Sequence, residues 1–319
     1  MHALLVKTSS LGDVVHNLPV VADIQRHNPG AVIDWVVEEA FSDIPRLHPG
    51  VHRVIPVSIR RWRKQLLAPA TWGEIAAFRR ELREDFYDVV LDTQGLIKSA
   101  VLVKQAELAV NGRRLGFSAE AAREPFAARF YDAGFAIPKN AHAVERNRWL
   151  AAAAFGYTLD APLDYGISAA PLAANWLPAK PYAVMLTGTS RTDKLWPDID
   201  WIALALALNM PVVLPAGSVA ERERVQRLAA QIPDAVIAPP LGIAELASLL
   251  AGTQLVVGLD TGLTHLAAAL NKPTIAIFSG SDPDLTGVHA TASAAINLGR
   301  NGAPPLVDEA ITTAKALLQ

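Results

Sequence analysis

Leu255-Val256-Val257-Gly258-Leu259-Asp260-Thr261-Gly262-Leu263-Thr264-His265-Leu266-Ala267-Ala268-Ala269 decides the fold. An apolar strand pattern stops near Gly258, Asp-Thr-Gly-x-x-His follows, and an Ala- and Leu-rich helix pattern takes over. Asp260, Thr261, Gly262 and His265 thereby fall at the carboxyl edge of a buried strand, on the first turn of a helix. Open α/β sheets bind ligands at that edge. The unbonded N–H groups of a helix N-terminus attract phosphate. The same residues also suit a plain capped helix, with Asp260 or Thr261 as N-cap and His265 bonded to a neighbour.

The alternation extends outward from this stretch. Strand patterns at 182–186, 212–215, 236–237 and 274–278 are interleaved with helix patterns at 198–208, 220–231, 243–251 and 307–317. The first half repeats the scheme. Strands at 3–7, 32–37, 54–57, 87–91 and a weaker one at 108–111 alternate with helices at 71–83, 96–104 and 143–155. A helix at 14–27 is expected to be interrupted or bent near Pro19. Near-continuous apolar strands separated by helices indicate parallel sheets covered on both faces. Residues 157–181 interrupt the pattern with Pro162, Gly166, Pro171, Pro178 and Pro181. The expectation is therefore α/β: two Rossmann-like domains, 1–165 and 175–319, facing across a cleft. The terminal helix is free to return to the first domain.

At 319 residues the chain is long for one core. It is 51% apolar and 19% charged, which argues against disorder. A net charge of −2 gives no support for nucleic-acid binding. There is no cysteine, so disulfides, zinc–thiolate sites and thiol chemistry are excluded. The eight histidines show no zinc-ligand spacing, and no metal is expected. No apolar stretch is long enough to span a bilayer, so a cytoplasmic enzyme is expected, with attachment to a membrane surface open.

Four further stretches carry chemistry. Thr8-Ser9-Ser10-Leu11-Gly12-Asp13-Val14-Val15-His16 follows the first strand and lacks G-x-G-x-x-G. Asp13 suits either a helix cap or a general base. A carboxylate at a helix opening is a weak base and needs an activated electrophile, such as a sugar on a nucleoside diphosphate. Arg60-Arg61-Trp62-Arg63-Lys64 places four cations in five residues just past a strand end. It reads as solvated surface or as forks for a multiply anionic acceptor. In the second half, Thr189, Ser190 and Lys194 form a plausible diphosphate cradle that is not a P-loop. Glu221 suits a helix cap or a ribose contact.

Together these stretches resemble the ADP-heptose:lipopolysaccharide heptosyltransferases of glycosyltransferase family 9, which have the GT-B fold. Trp35-Val36-Val37-Glu38-Glu39, Asp92-Thr93-Gln94-Gly95-Leu96-Ile97-Lys98-Ser99-Ala100 and Ala122-Arg123-Glu124-Pro125 share in the likeness. Arg60–Lys64 with 122–125 resembles the type I branch, which adds the first heptose to the Kdo residue of Kdo2-lipid A. The resemblance implies that Asp13 is the catalytic base. It assigns Thr189, Ser190, Lys194, Glu221, Asp260, Thr261, Gly262 and His265 to ADP-heptose, and Arg60, Arg61, Arg63 and Lys64 to the acceptor. It implies inversion without a metal or cofactor, and peripheral contact with the cytoplasmic face of the inner membrane. Two enzymatic alternatives stay open: transfer to an already heptosylated core, and nucleotide-sugar epimerisation. A nucleotide-sensing or assembly protein is the non-enzymatic alternative.

Overall fold

The structure is a computed structural model that describes residues 1–189, 191–291 and 294–319. Its contacts divide the chain into two units, Met1–Ile167 and Ser168–Gln319.

In the first unit, β1 (His2–Val6), β2 (Val32–Glu38), β3 (Arg53–Val57), β4 (Phe86–Asp92), β5 (Glu107–Phe117) and β6 (Ala133–Phe135) form one sheet. The order is β3-β2-β1-β4-β5-β6, and every pairing is parallel. Its helices are α1 (Leu11–Val15), α2 (Leu18–His27), α3 (Asp43–Arg46), α4 (Ile59–Trp62), α5 (Pro69–Leu82), α6 (Ile97–Gln105) and α7 (Ala143–Phe155). Ala3 to Val6 of β1 are fully buried, as expected of a central strand covered on both faces.

The second unit repeats the design. Its strands are β7 (Ala183–Leu186), β8 (Val212–Leu214), β9 (Ala235–Ile237), β10 (Leu255–Leu259), β11 (Thr274–Phe278) and β12 (Ala295–Gly299). They pair in parallel in the order β12-β11-β10-β7-β8-β9. Its helices are α8 (Asp198–Leu208), α9 (Val219–Ala229), α10 (Ile243–Gly252), α11 (Gly262–Ala269), α12 (Pro283–Thr286) and α13 (Val307–Leu317).

Several details refine or depart from the sequence expectation. The helix at 14–27 is interrupted, one of the two forms expected near Pro19. Asn17 stands at the start of α2 and Pro19 lies in its first turn, where a missing N–H costs nothing. The weak strand at 108–111 continues to Phe117. Its register against β4 shifts between Tyr87 and Val89, and the left-handed Asn111 hid the continuation. The short strands β6 and β12 were not anticipated. Lastly, α13 packs on α8 and β11, with Ala310 and Ala314 in the second unit's core.

The Pro-rich junction is partly claimed by the first unit. Arg148 of α7 forms a buried ion pair with Asp23 of α2 and donates to the carbonyls of Ala161 (2.9 Å) and Pro162 (3.3 Å). His27 meets Asp160 at 3.2 Å. These contacts strap residues 160–162 onto the α2–α7 pair.

Candidate active site

Both sheets carry the strand order of a doubly wound fold. Crossovers leave the first strand of each in one direction and the fourth in the other, which opens a crevice at the carboxyl ends of those two strands. In the first unit these are β1 and β4; in the second, β7 and β10. Four of the loops singled out in the sequence follow these strands, while Arg60–Lys64 follows β3 and Glu221 lies past β8.

In the first unit the two loops are bolted together. Gln94 Oε1 accepts from the backbone N and Oγ1 of Thr8, each at 2.7 Å. Gln94 Nε2 donates to the Ser9 carbonyl at 2.9 Å. Lys98 Nζ donates to Ser9 Oγ at 2.7 Å, and the buried Lys7 reaches the Thr93 carbonyl at 2.8 Å. Asp92 shapes its loop from within, accepting from the N–H groups of Gln94 (2.8 Å) and Gly95 (3.1 Å). Gly95 sits at φ +66, a conformation glycine adopts without strain. Glu124 accepts from the Ile97 N–H at 2.6 Å, so 122–125 closes over the start of α6.

Asp13 is half-buried on the third residue of α1. Its Oδ2 accepts from Ser10 N and Ser10 Oγ, each at 2.8 Å. One carboxylate oxygen therefore does the capping work weighed for this residue. Its surroundings are cationic. Burial pushes the Lys98 pKa down, and the charges of Arg60 and Arg123 push it the same way, while Glu38 and Asp13 oppose them. Arg60, Arg123, Glu38 and Asp13 thus all lie within electrostatic reach of Lys98.

The four cations of Arg60–Lys64 are not equivalent. Arg60 is exposed and lies 5.3 Å over the Phe41 ring, while its N–H donates to the buried Glu38. Arg61 is spent internally: Nη1 meets both Glu74 oxygens (2.8 and 2.6 Å) and Nη2 meets Glu39 (3.1 Å). Arg63 and Lys64 are exposed. Trp62 turns inward, stacked edge-on against Phe78 with its Nε1 on Glu74 at 2.7 Å.

In the second unit the centre is Asp260, just past β10. Lys194 Nζ and Ser281 Oγ both donate to its Oδ2, and His265 Nε2 lies 3.3 Å from its Oδ1. Burial alone would raise its pKa. Hydrogen bonds from His265, Lys194 and Ser281 outweigh burial and hold the carboxyl well below the usual carboxylate range. Thr261 is the N-cap of α11, so the first N–H groups of that helix open beside this cluster. Thr264 Oγ1 donates back to the Leu259 carbonyl at 2.6 Å and draws the helix close to its strand.

That close approach needs Gly258. A Cβ there would collide with Thr264 Oγ1 and come within 3.1 Å of Leu186 Cβ. Gly258→Ala is expected to lower unfolding stability by about 1–3 kcal/mol through overpacking. Urea denaturation checks this.

Thr189 and Glu221 are engaged locally. Thr189 Oγ1 accepts from the Arg191 N–H at 3.3 Å. Glu221 Oε2 caps α9 through the N–H groups of Gly217 (2.7 Å) and Ser218 (3.1 Å). Glu221 also packs against Gly188, where an added Cβ would come within 2.6 Å of its carboxyl. Ser190 lies outside the described residues. Sequence reading missed Ser281, and it missed Arg224. Arg224 joins the carbonyls of Thr187 and Trp196 (2.6 Å each) to Asp198 (2.7 Å) and so fixes the loop after β7. No spacing signal marks either residue.

Among the described residues one group could gather metal-ligand atoms: His2, Asp34 and His52 at the amino edge of the first sheet. Arg53 occupies the same Asp34 carboxylate, at 3.1 and 3.2 Å.

Comparison with known proteins shows the family. The model of glycosyltransferase family 9 (heptosyltransferase) matches residues 75–315. The chain belongs to glycosyltransferase family 9. Among family 9 relatives, lipopolysaccharide heptosyltransferase 1 of Pseudomonas aeruginosa is 46% identical over 94% of this chain and 84% of that protein. The Escherichia coli protein of the same name is 43% identical over 90% of each chain. The solved E. coli heptosyltransferase WaaC with ADP superposes with a TM-score of 0.89 at 38% identity, covering 99% of this chain and all of that one. E. coli ADP-heptose heptosyltransferase II, at 22% identity and TM-score 0.77, shares the fold, with 100% of this chain and 98% of that one covered. The chain is thus a family 9 glycosyltransferase of α/β architecture.

Proposed function

We propose that the chain transfers L-glycero-D-manno-heptose from ADP-L-glycero-β-D-manno-heptose to the Kdo residue of Kdo2-lipid A, with inversion at C1. One observation carries the reading. The two switch points carry different equipment, a carboxylate among cations in the first unit and a lysine beside a helix N-terminus in the second. WaaC has been solved with ADP and with ADP-2-deoxy-2-fluoro heptose, at 38% identity to this chain. This supports a donor of that class.

In this mechanism the diphosphate rests at the start of α11, at Thr261 and Gly262, with Thr189, Ser190 and Lys194 around it. Glu221 meets the ribose, and Asp260 with His265 orients Lys194 and the sugar. Asp13 takes the proton from the acceptor hydroxyl as that oxygen attacks C1. The charge left on ADP is met by Lys194 and the helix N–H groups. These groups serve in place of a metal ion, so EDTA is expected to leave turnover unchanged.

Calorimetry with nucleotides tests the donor. ADP is expected to bind more tightly than UDP or GDP; equal binding of UDP would contradict the assignment. The acceptor cluster gives a second expectation. Arg60→Glu with Arg63→Glu is expected to raise the acceptor KM and leave ADP affinity intact. Arg61→Ala is expected to act more on thermal stability, because its guanidinium already serves Glu39 and Glu74. An unchanged acceptor KM in the double variant would reduce the cluster to solvated surface.

Kdo2-lipid A is a lipid, so the reaction belongs at the cytoplasmic face of a membrane, with the enzyme in peripheral contact. Among the described residues no helix is long and apolar enough to cross one.

A further inference from the structure

The turn joining α4 to α5 exposes apolar surface that the transfer reaction does not use. Leu66 is 50% exposed, Leu67 is 100% exposed and Trp72 is 59% exposed. They do not sit on a loose loop. Thr71 Oγ1 donates to the Gln65 carbonyl at 2.8 Å, and Trp72 Nε1 donates to the Leu66 carbonyl at 2.9 Å. The Ala68 N–H closes the turn on Gln65 at 3.0 Å. Trp62, buried against Phe78, anchors the near end in the core. The turn's polar groups are therefore largely spoken for. The indole N–H in particular is satisfied internally, so covering the ring strands no donor.

Charge surrounds this apolar tip. Arg60, Arg63 and Lys64 are exposed just before it, and Arg63 and Lys64 have no ion-pair partner among the described residues. The nearby carboxylate, Glu74, is held by Arg61 and Trp62. Unpaired cations beside leucines and a tryptophan match a surface with anionic headgroups over an apolar interior.

We infer that residues 63–72 are a membrane-docking element, in which Leu66, Leu67 and Trp72 enter an anionic lipid surface while Arg63 and Lys64 meet its headgroups. The inference rests on the lipid-linked acceptor proposed above and names the surface that brings the enzyme to it.

The test uses the full chain with vesicles of phosphatidylcholine alone or mixed with phosphatidylglycerol. The wild type is expected to co-sediment with the mixed vesicles and much less with phosphatidylcholine. Leu66→Ser with Leu67→Ser is expected to lower the partition coefficient at least about tenfold, given the apolar area removed. Both side chains are half or fully exposed, so the melting temperature should hold. Brominated lipid is expected to quench tryptophan emission in the wild type and much less in Trp72→Phe. The serine double variant should keep its kcat/KM on a deacylated Kdo2 acceptor and lose it on acceptor embedded in vesicles. Wild-type protein that ignores the mixed vesicles would overturn the inference, as would serine variants that bind like the wild type. A wild type that binds vesicles but glycosylates neither form of the acceptor would instead overturn the acceptor assignment.

Discussion

Asp13→Asn is expected to lower kcat by about 10²–10⁴-fold, the usual worth of general-base help, with ADP affinity little changed. The substitution is chosen for the geometry of the residue. Asp13 Oδ2 accepts from both the N–H and the Oγ of Ser10. Asparagine keeps one acceptor oxygen and can keep that cap, but it cannot take a proton from an attacking hydroxyl. The two roles are therefore separable. A residue that only capped α1 would leave kcat near normal in a step limited by chemistry. The cap itself would show in a variant that loses the acceptor oxygen, Asp13→Ala, as a stability loss of about 1 kcal/mol. Steady-state kinetics with saturating donor, paired with a melting curve, distinguishes the two.

Lys194→Ala is expected to lower kcat by roughly 10²–10³-fold, the range for losing one donor to a developing negative charge. Donor binding should weaken more than acceptor binding. The variant carries a second signature. Asp260 is held below the usual carboxylate range by three donors, of which Lys194 is one. Its folded pKa lies below its unfolded value, so its stabilisation is present above about pH 4 and fades as pH falls through the folded value. Losing Lys194 brings the folded value up toward the unfolded one, so the acid-dependent part of the stability should shrink and end at a higher pH. Acid unfolding curves for the variant and wild type read this directly.

The site was legible where its signal is local. β10 is fully buried and ends at polar Asp260, so the strand, the turn and α11 could each be placed from sequence. The loops after β1, β4 and β7 declared themselves in the same way. What stayed hidden depends on strands that the sheet brings together. Lys194 and Asp260 stand 66 residues apart and meet because β7 lies beside β10. Ser281 joins them because β11 lies on the other side of β10. No local pattern foretells such a contact. Arg61 shows the converse limit. In sequence it is one of four like cations, yet a carboxylate on α5 claims it and leaves its neighbours exposed. The bulge in β5 misled for a third reason, since a left-handed asparagine followed by glycine reads as the end of a strand.

The central claim is that this chain joins a heptose from an ADP donor to Kdo. The direct measurement is incubation with ADP-L-glycero-β-D-manno-heptose and Kdo2-lipid A, followed by mass spectrometry of the lipid and NMR of its new anomeric centre. The expected result is one added heptose per lipid, one ADP released for each, and an α linkage, the inverse of the donor's. Transfer only to an already heptosylated core, or release of free sugar with no glycosylated lipid, would contradict the account.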